Sequence, residues 1–397
     1  MRNIENGVLK KFNMKLKSPG TVIVDNTITK IGEYAFSECK NVTEVILPSS
    51  LEEIGDRAFI HSWVKEIDIP NNVKRISKEA FADCKGLQYI EIPCSVTEID
   101  EGAFSGCENL KRIVFKKHVI DHAFVFESKI EKIHNRVFEN CKSLQEIDIP
   151  KTVTEIGERA FWGCSSLATL VIPQRVETIG KEAFSCCREL QNVVCSKNIS
   201  EFGEGAFKDC IGLENIVLSC NISAVSKGMF ENCINLKNVI IGSGDKGCVR
   251  SIESDVFVNC RALENVIFSD KLERIEKFAF FGCENLRDII VSQTSVDVTD
   301  NITNQKRKQI YEFMLRAAKG FSDEPDIFEM VYSCGDYNIK FVADIANYGI
   351  YSIYGCDEDG NIRSKQPLCT GGVDEIVKYL NDKNNIDEVM SLVSEGF

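Results

Sequence analysis

The stretch from Thr154 to Pro173 reads TEIGERAFWGCSSLATLVIP, and close copies of it recur over the first three quarters of the chain. Most copies follow the previous one by 23 residues. Eleven of them carry a phenylalanine at the same place: Phe36, Phe59, Phe81, Phe104, Phe138, Phe161, Phe184, Phe207, Phe230, Phe257 and Phe280. A period of this length predicts a solenoid, in which each unit buries its apolar residues only against its neighbours.

Each copy has two halves with different patterns. The Leu-x-x-Leu-x-Ile half alternates apolar and variable residues, which predicts a strand with one buried face. The Ile-Gly-x-x-Ala-Phe-x-x-Cys half places apolar residues about three apart, which predicts a tight turn or a short helical piece on the outer side. We therefore predict an α/β repeat fold whose coils run from strand to turn to outer arc.

Three steps between the phenylalanines depart from 23 residues. The step from Phe59 to Phe81 is one residue short, and the 34-residue step from Phe104 to Phe138 is interpreted as containing a degenerate repeat around Phe124. The step from Phe230 to Phe257 is 27 residues, with an extra loop at 242–247. That loop reads Gly-x-Gly-x-x-Gly, but the repeat resumes after it where a nucleotide site needs a helix, so no nucleotide is predicted.

The repeated unit resembles the BspA-like leucine-rich repeat family, in which Ile-Gly-x-x-Ala-Phe-x-x-Cys-x-x-Leu-x-x-Ile-x-Ile-Pro units stack. The resemblance covers about Thr21 to Ser292. It implies a curved solenoid with a concave sheet of parallel strands and with turns or short helical pieces outside. Proteins of this family are often surface adhesins of bacteria or protozoa that bind host proteins, so the resemblance also implies a binding role.

Composition and charge narrow the range of partners. The chain has 397 residues, 44% of them hydrophobic, and a formal net charge of −13. An acidic surface repels phosphate groups, so neither nucleic acid nor an anionic membrane is predicted as a partner. No apolar run is long enough to span a bilayer. The first 20 residues lack the apolar core of a secretory signal, which predicts a cytoplasmic location. The alternative is the cell surface, reached without a visible signal peptide.

The cysteines follow the repeat. Ten of the 18 occupy one position, three residues after the repeat phenylalanine: Cys39, Cys84, Cys107, Cys141, Cys164, Cys187, Cys210, Cys233, Cys260 and Cys283. Because this spacing is not Cys-x-x-Cys, we expect them to pack as small buried side chains and not to serve redox or metal chemistry. No Gly-x-Ser-x-Gly motif is present. No catalytic residue and no cofactor is therefore predicted.

Three of the four histidines lie close together in sequence. His118, His122 and His134 are near Asp121, Glu127 and Glu131. A pair of histidines four residues apart on a helix could ligate a metal, although the pattern lacks a fourth ligand at the expected spacing. The alternative is a polar bulge in the solenoid, and both interpretations stay open at this point.

Two columns of residues run along the predicted strands. One column is polar and consists of Thr169, Asn192, Asn215, Asn238 and Asn265. The other is apolar and consists of Val171, Val194, Val217, Ile240 and Ile267. If these side chains face the concave surface, as the resemblance implies, they form an apolar stripe beside an amide stripe, which usually marks an interaction site. The alternatives are burial by the C-terminal region or by a second copy, and simple strand preference with self-satisfying asparagines.

The two ends of the chain depart from the repeat. Residues 1–20 are expected to cap the solenoid of residues 21–292. Residues 293–397 are expected to form a small, mainly α-helical domain, because apolar residues recur there at helical spacing within 310–317, 373–380 and 386–393.

The sequence thus predicts a non-enzymatic scaffold that binds a protein or peptide through the concave strand face. One alternative is a cell-surface adhesin that binds host proteins. Another is a regulatory or catalytic activity in residues 293–397, with the repeats recruiting its substrate. Self-association through the apolar stripe is a further alternative.

Overall fold

The computed structural model describes residues 2–12, 18–116, 118–120, 124–126, 128–218, 221–241, 249–268, 272, 274–276, 278–286, 288–291, 328–334, 337–343, 351–356 and 369–371, with backbone alone for 2–3, 118–120, 124–126 and the ranges from 288 onward. The chain divides into two compact units. Unit 1 comprises Met1–Leu213 and Ser226–Ile234, and unit 2 comprises Glu214–Val225 and Asn235–Phe397.

Each coil contributes one strand from the Leu-x-x-Leu-x-Ile half, which we call a face strand. The face strands are β3 (Gly20–Ile23), β5 (Val42–Ile46), β7 (Glu66–Ile67), β9 (Tyr89–Ile92), β11 (Arg112–Phe115), β15 (Glu146–Ile147), β17 (Thr169–Val171), β19 (Asn192–Val194), β21 (Asn215–Leu218), β23 (Asn238–Ile241), β25 (Asn265–Phe268) and β27 (Asp288–Val291). They pair in parallel within unit 1 as β3-β5-β7, β9-β11-β15 and β17-β19, and within unit 2 as β21-β23-β25-β27. The predicted sheet of parallel strands is therefore present.

A second set of strands, which we call corner strands, has two residues in each coil. These are β4 (Lys30–Ile31), β6 (Glu53–Ile54), β8 (Arg75–Ile76), β10 (Glu98–Ile99), β14 (Lys132–Ile133), β16 (Glu155–Ile156), β18 (Thr178–Ile179), β20 (Glu201–Phe202), β22 (Ala224–Val225), β24 (Ser251–Ile252) and β26 (Arg274–Ile275). They also pair in parallel within each unit. The repeat pattern did not predict them, because a two-residue strand is too short to show an alternation.

The N-terminal segment forms a hairpin that joins the corner strands. β1 (Arg2–Glu5) pairs antiparallel with β2 (Val8–Phe12), and β2 pairs in parallel with β4. Leu9 is buried, and the Phe12 ring stacks on Phe36 with centroids 5.1 Å apart. The segment therefore adds one partial coil to the start of the stack.

The core of each coil is its repeat phenylalanine. All eleven are buried. In unit 1 the rings from Phe36 to Phe230 stack one on the next, with centroid distances from 4.9 to 5.9 Å. In unit 2, Phe257 stacks on Phe280 at 5.1 Å. Each ring is thus covered mainly by the rings of neighbouring coils, which explains why a single repeat cannot hold its core alone.

The outer arcs are turns, and no helix occurs among the residues described. In every coil, two residues have a backbone in the left-handed region. One lies two positions before the repeat phenylalanine, and the other lies two positions after it. Gly163 is one of them, at φ 74°. A different glycine of the repeat allows close packing of coils: a Cβ on Gly180 would lie 2.5 Å from the backbone nitrogen of Glu158. The alternative of short helical pieces on the outer side is therefore wrong for the described coils.

The long step between Phe104 and Phe138 is not a degenerate repeat. The two rings stack directly, with centroids 5.8 Å apart, so no coil lies between them. Instead, β12 (His118–Ile120) and β13 (Phe124–Phe126) form an antiparallel hairpin inserted after β11. The extra loop at 242–247 lies outside the described residues, but it also directly follows a face strand, β23. Both insertions therefore follow the face strand of their own coil.

The C-terminal region contains strands. β28 (Phe328–Cys334), β29 (Tyr337–Ala343), β30 (Tyr351–Cys356) and β31 (Cys369–Gly371) form an antiparallel sheet in chain order. The three segments predicted as helical lie outside the described residues, so a mainly helical domain is not shown. The predictions made for this region rest on helical spacing and do not include these strands.

Candidate functional site

The most exposed part of the predicted stripe lies on two paired strands of unit 1. Strands β17 and β19 pair in register, so that Thr169 lies beside Asn192 and Val171 beside Val194. Thr169 and Asn192 are exposed. Val171 and Val194 are also exposed, at 61% and 53%. These four residues alternate with buried or half-buried ones. We call the surface that they form, together with the equivalent outward residues of the other face strands, the strand face.

In unit 2 the predicted asparagines form a hydrogen-bonded ladder. The Asn238 amide donates to the Asn215 side-chain oxygen at 2.7 Å, and the Asn265 amide donates to that of Asn238 at 2.7 Å. The predicted apolar residues Val217, Ile240 and Ile267 share the same strands and are half-buried, as the asparagines are. The side-chain amides thus satisfy part of one another's hydrogen-bonding capacity. Self-satisfying asparagines are the alternative explanation given above for the polar column. The predicted residues come together as one group in each unit.

Three exposed hydrophobic residues of the described strand face were not among the predicted site residues. Ile23 and Ile46 pair in register on β3 and β5 and are 61% and 46% exposed. Tyr89 on β9 is 44% exposed. The signal was present for Ile46, which belongs to the same column as Val171, but Asp68 and Glu91 interrupt that column in the following coils. Unit 1 therefore carries aliphatic side chains near both ends of its strand face.

Charged side chains occupy the middle of the strand face in unit 1. Arg112 and Glu146 form an ion pair at 3.1 Å, and Lys116 forms one with Glu91. The hydrogen bond with Lys116 lowers the pKa of Glu91. Glu91 also accepts a hydrogen bond from the Tyr89 hydroxyl, which raises the pKa of Tyr89. Both shifts move the pKa of the group concerned further from neutral pH.

The cysteine column is part of the core. The thiol of Cys84 donates to the carbonyl of Phe59 at 3.0 Å, and Cys164 donates to that of Phe138 at 3.2 Å. The same contact recurs in most coils, one repeat back along the chain. Burial raises the pKa of Cys84 to about 12. Buried, protonated thiols are poor nucleophiles and poor metal ligands, which agrees with the packing role expected from the sequence.

Of the three neighbouring histidines, the structure places the side chain of His134. It lies with Glu98 and Asp100, with their ligand atoms within 4.8 Å of one another. Arg75 is 2.7 Å from the Asp100 carboxylate and 3.5 Å from that of Glu98, so a cation is already in place. His118 is described only as backbone of β12, and His122 lies outside the described residues. We therefore interpret this cluster as an ion-pair network and assign no metal to it.

Family comparison agrees with the repeat seen in both units. The sequence model of the BspA type leucine-rich repeat region matches residues 9–129, 122–237 and 228–319, with six copies in all. The chain belongs to this BspA-type family. The resemblance noted from the repeat motif is thereby confirmed, as is the parallel-strand solenoid. No curated protein matches the sequence.

Several solved structures are similar to this BspA-type chain. A leucine-rich cell surface protein of Faecalibacterium prausnitzii is 23% identical, with 80% of this chain and 94% of that one covered and a TM-score of 0.42. A leucine-rich repeat protein of Eubacterium ventriosum is 23% identical, with coverage of 74% and 91% and a TM-score of 0.47. One of Bacteroides ovatus is 24% identical, with coverage of 71% and 88% and a TM-score of 0.43. At these identities the likeness concerns the fold alone.

Among the residues described, none belongs to a helix that could cross a membrane. The Faecalibacterium prausnitzii structure is described as that of a cell surface protein, which is a statement about that protein. The cytoplasmic location expected from the sequence stays a prediction, as does the cell-surface alternative.

Proposed function

We propose that this BspA-type chain is a non-enzymatic scaffold that binds a protein or peptide through its strand face. The exposure of Val171 and Val194, side by side on β17 and β19, carries the proposal. The family and the fold are those of repeat scaffolds, which supports a binding role, and proteins with such repeats typically bind other proteins. The partner-binding residues of the proposal are those of the two predicted columns.

Val171 and Val194 offer a measurable share of the binding free energy. Complete burial of a valine side chain stabilises a complex by about 1.5–3 kcal/mol. Because a little over half of each side chain is exposed at present, a partner that covers both would gain roughly 2 kcal/mol, or about 30-fold in affinity. The neighbouring Thr169 and Asn192 supply hydroxyl and amide groups that can bond to a partner's backbone.

The proposal is tested by placing charge on the strand face. The double variant Val171→Lys/Val194→Lys and the control Ile234→Lys are compared with the original chain in affinity capture followed by mass spectrometry. Ile234 is an exposed aliphatic residue of unit 1 that lies outside the face strands. We expect the double variant to lose the captured partner and the control to keep it, with circular dichroism unchanged for both. Capture that survives the double substitution would refute the proposal.

A second candidate function of the strand face is self-association. It is favoured by the aliphatic character of Val171 and Val194, since identical exposed patches can cover one another. Sedimentation velocity of the same variants separates the two uses. Dimers that dissociate in the double variant would assign the strand face to a second copy of the chain.

A further inference from the structure

We propose that the strand face of the first five coils docks a lysine- or arginine-rich extended segment of the partner. This inference rests on the proposed function, since it names the chemistry of the partner that the strand face would bind. Three observations carry it: two carboxylates placed in register, an exposed aromatic ring beside further carboxylates, and the scarcity of positive charge on these strands.

The first observation is the pairing of Glu44 with Glu66. The two residues are direct partners in the parallel pair of β5 and β7. Like charges directly opposite on neighbouring strands destabilise a sheet, by up to about 1 kcal/mol. Neither carboxylate has an ion pair within the described part of the chain, and Glu44 only accepts a hydrogen bond from Thr21.

In the other described strand pairs of unit 1, no two like charges lie in register. The outward residues of successive corner strands alternate in sign, as Lys30, Glu53, Arg75 and Glu98. On the strand face itself, Arg112 lies in register with Glu146. Opposite charges on neighbouring strands are thus the pattern of the corner strands, and Glu44 and Glu66 depart from it. A departure from a stabilising pattern often marks a place where function competes with stability.

The second observation is the setting of Tyr89. Tyr89 is 44% exposed, and its hydroxyl donates to Glu91. The carboxylate of Asp68 is close enough to act on the Tyr89 hydroxyl electrostatically. An exposed aromatic ring beside carboxylates attracts a guanidinium or ammonium group, through the ring face as well as through charge.

The third observation concerns the balance of charge on these strands. Arg112 on β11 and Lys116, directly after that strand, are the basic residues described on this part of the strand face, and both are already paired, with Glu146 and Glu91. The carboxylates of Glu66 and Asp68, and of Asp148 three coils further on, have no ion pair in the part of the chain that the structure describes. A cationic partner is therefore complementary to the face as it stands.

The spread of these carboxylates favours a peptide over a small ion. Glu44 and Asp148 belong to the first and the fifth coils, four coil steps apart. Neighbouring strands lie about 4.8 Å apart, so the row extends over roughly 20 Å, a length that about six extended residues cover. Side chains of lysine and arginine are long enough to reach carboxylates on both sides of such a segment.

The test uses the full chain and two fluorescein-labelled probes. One probe is a 12-residue peptide of alternating lysine and serine, and the other replaces each lysine by glutamate. The triple variant Glu44→Gln/Glu66→Gln/Asp68→Asn removes three carboxylates from the strand face. The control triple Glu158→Gln/Glu177→Gln/Glu189→Gln removes three exposed carboxylates that lie outside the face strands of unit 1, with the same change in net charge.

We expect fluorescence anisotropy to show binding of the lysine probe and none of the glutamate probe. The face triple should weaken the lysine probe about tenfold, and the control triple should leave it unchanged. Equal weakening by both triples, or no binding to the original chain, would overturn the inference. If the lysine probe fails while capture still depends on Val171 and Val194, the proposed function stands and only the choice of a basic partner is wrong.

Discussion

Raising the pH is expected to unfold unit 1, because its buried thiols ionise more readily in the unfolded chain than in the stack. Seven of its cysteines are buried: Cys84, Cys107, Cys141, Cys164, Cys187, Cys210 and Cys233. Burial raises the pKa of all seven above the ordinary value of 9.0. For Cys84 the pKa rises to about 12.

The sign of the effect follows from the protons bound in each state. Between about pH 9 and the raised pKa of the folded state, an unfolded thiol binds fewer protons than a buried one. The free energy of unfolding therefore falls as the pH rises through this window, and it does not respond to these thiols at lower pH. At pH 10 each thiol contributes a loss of between about 1 and 2 kcal/mol. Seven together approach roughly 10 kcal/mol, which is comparable to the whole stability of a typical domain.

The assay is urea unfolding followed by circular dichroism, in reductant, at neutral pH and at steps up to pH 10. Its decisive variant is Cys141→Ser/Cys164→Ser, chosen because Ser62 naturally fills the equivalent position in the second coil. A hydroxyl does not titrate in this range, so the variant should lose about 2–3 kcal/mol less between neutral pH and pH 10 than the original chain. The half-buried Cys94→Ser serves as control. An equal loss in the double variant and the original chain would refute the reasoning.

Three further predictions concern the packing of the coils in unit 1, and each is measured as a change in the free energy of urea unfolding. Phe161→Ala should cost about 3–5 kcal/mol, because the ring is fully buried between two others. Gly163→Ala should cost about 1 kcal/mol, since φ is 74° and the new Cβ would lie 2.8 Å from the Asn140 side-chain oxygen. Lys132→Glu should cost under about 1 kcal/mol, and adding Glu155→Lys should restore it, because the pair is 2.6 Å apart but partly exposed.

The coil could be predicted from the sequence because its signals repeat. The phenylalanine, the cysteine and the alternating half of the motif each recur in the same register, and each describes burial, which sequence patterns report well. Corner strands such as Glu53–Ile54 could not be predicted, because backbone pairing over two residues leaves no period. The hairpin at 118–126 was misassigned for a related reason: its apolar residues look like a repeat when the chain is read alone.

The candidate site was predictable in part. Reading one strand position down the stack put Val171 and Val194 in one column, and the structure has both exposed and in register on β17 and β19. That reading could not show that Asn215, Asn238 and Asn265 bond to one another, because that depends on side-chain rotamers. Whether any of these residues contacts a partner remains a prediction.

In unit 1, the corner strands and the strand face carry charges in opposite arrangements. The arrangement on the corner strands stabilises the stack, whereas the one on the strand face suits the proposed binding. On the corner strands, ion pairs such as Lys30 with Glu53 at 2.8 Å and Lys132 with Glu155 at 2.6 Å join successive coils, so they favour the correct order and register of the stack. On the strand face, Glu44 lies opposite Glu66 and weakens the same kind of junction. The corner strands and the phenylalanine rings already set the register of the stack, so the stack can tolerate that repulsion. The residues of the strand face are therefore less constrained by stability and can be suited to a partner.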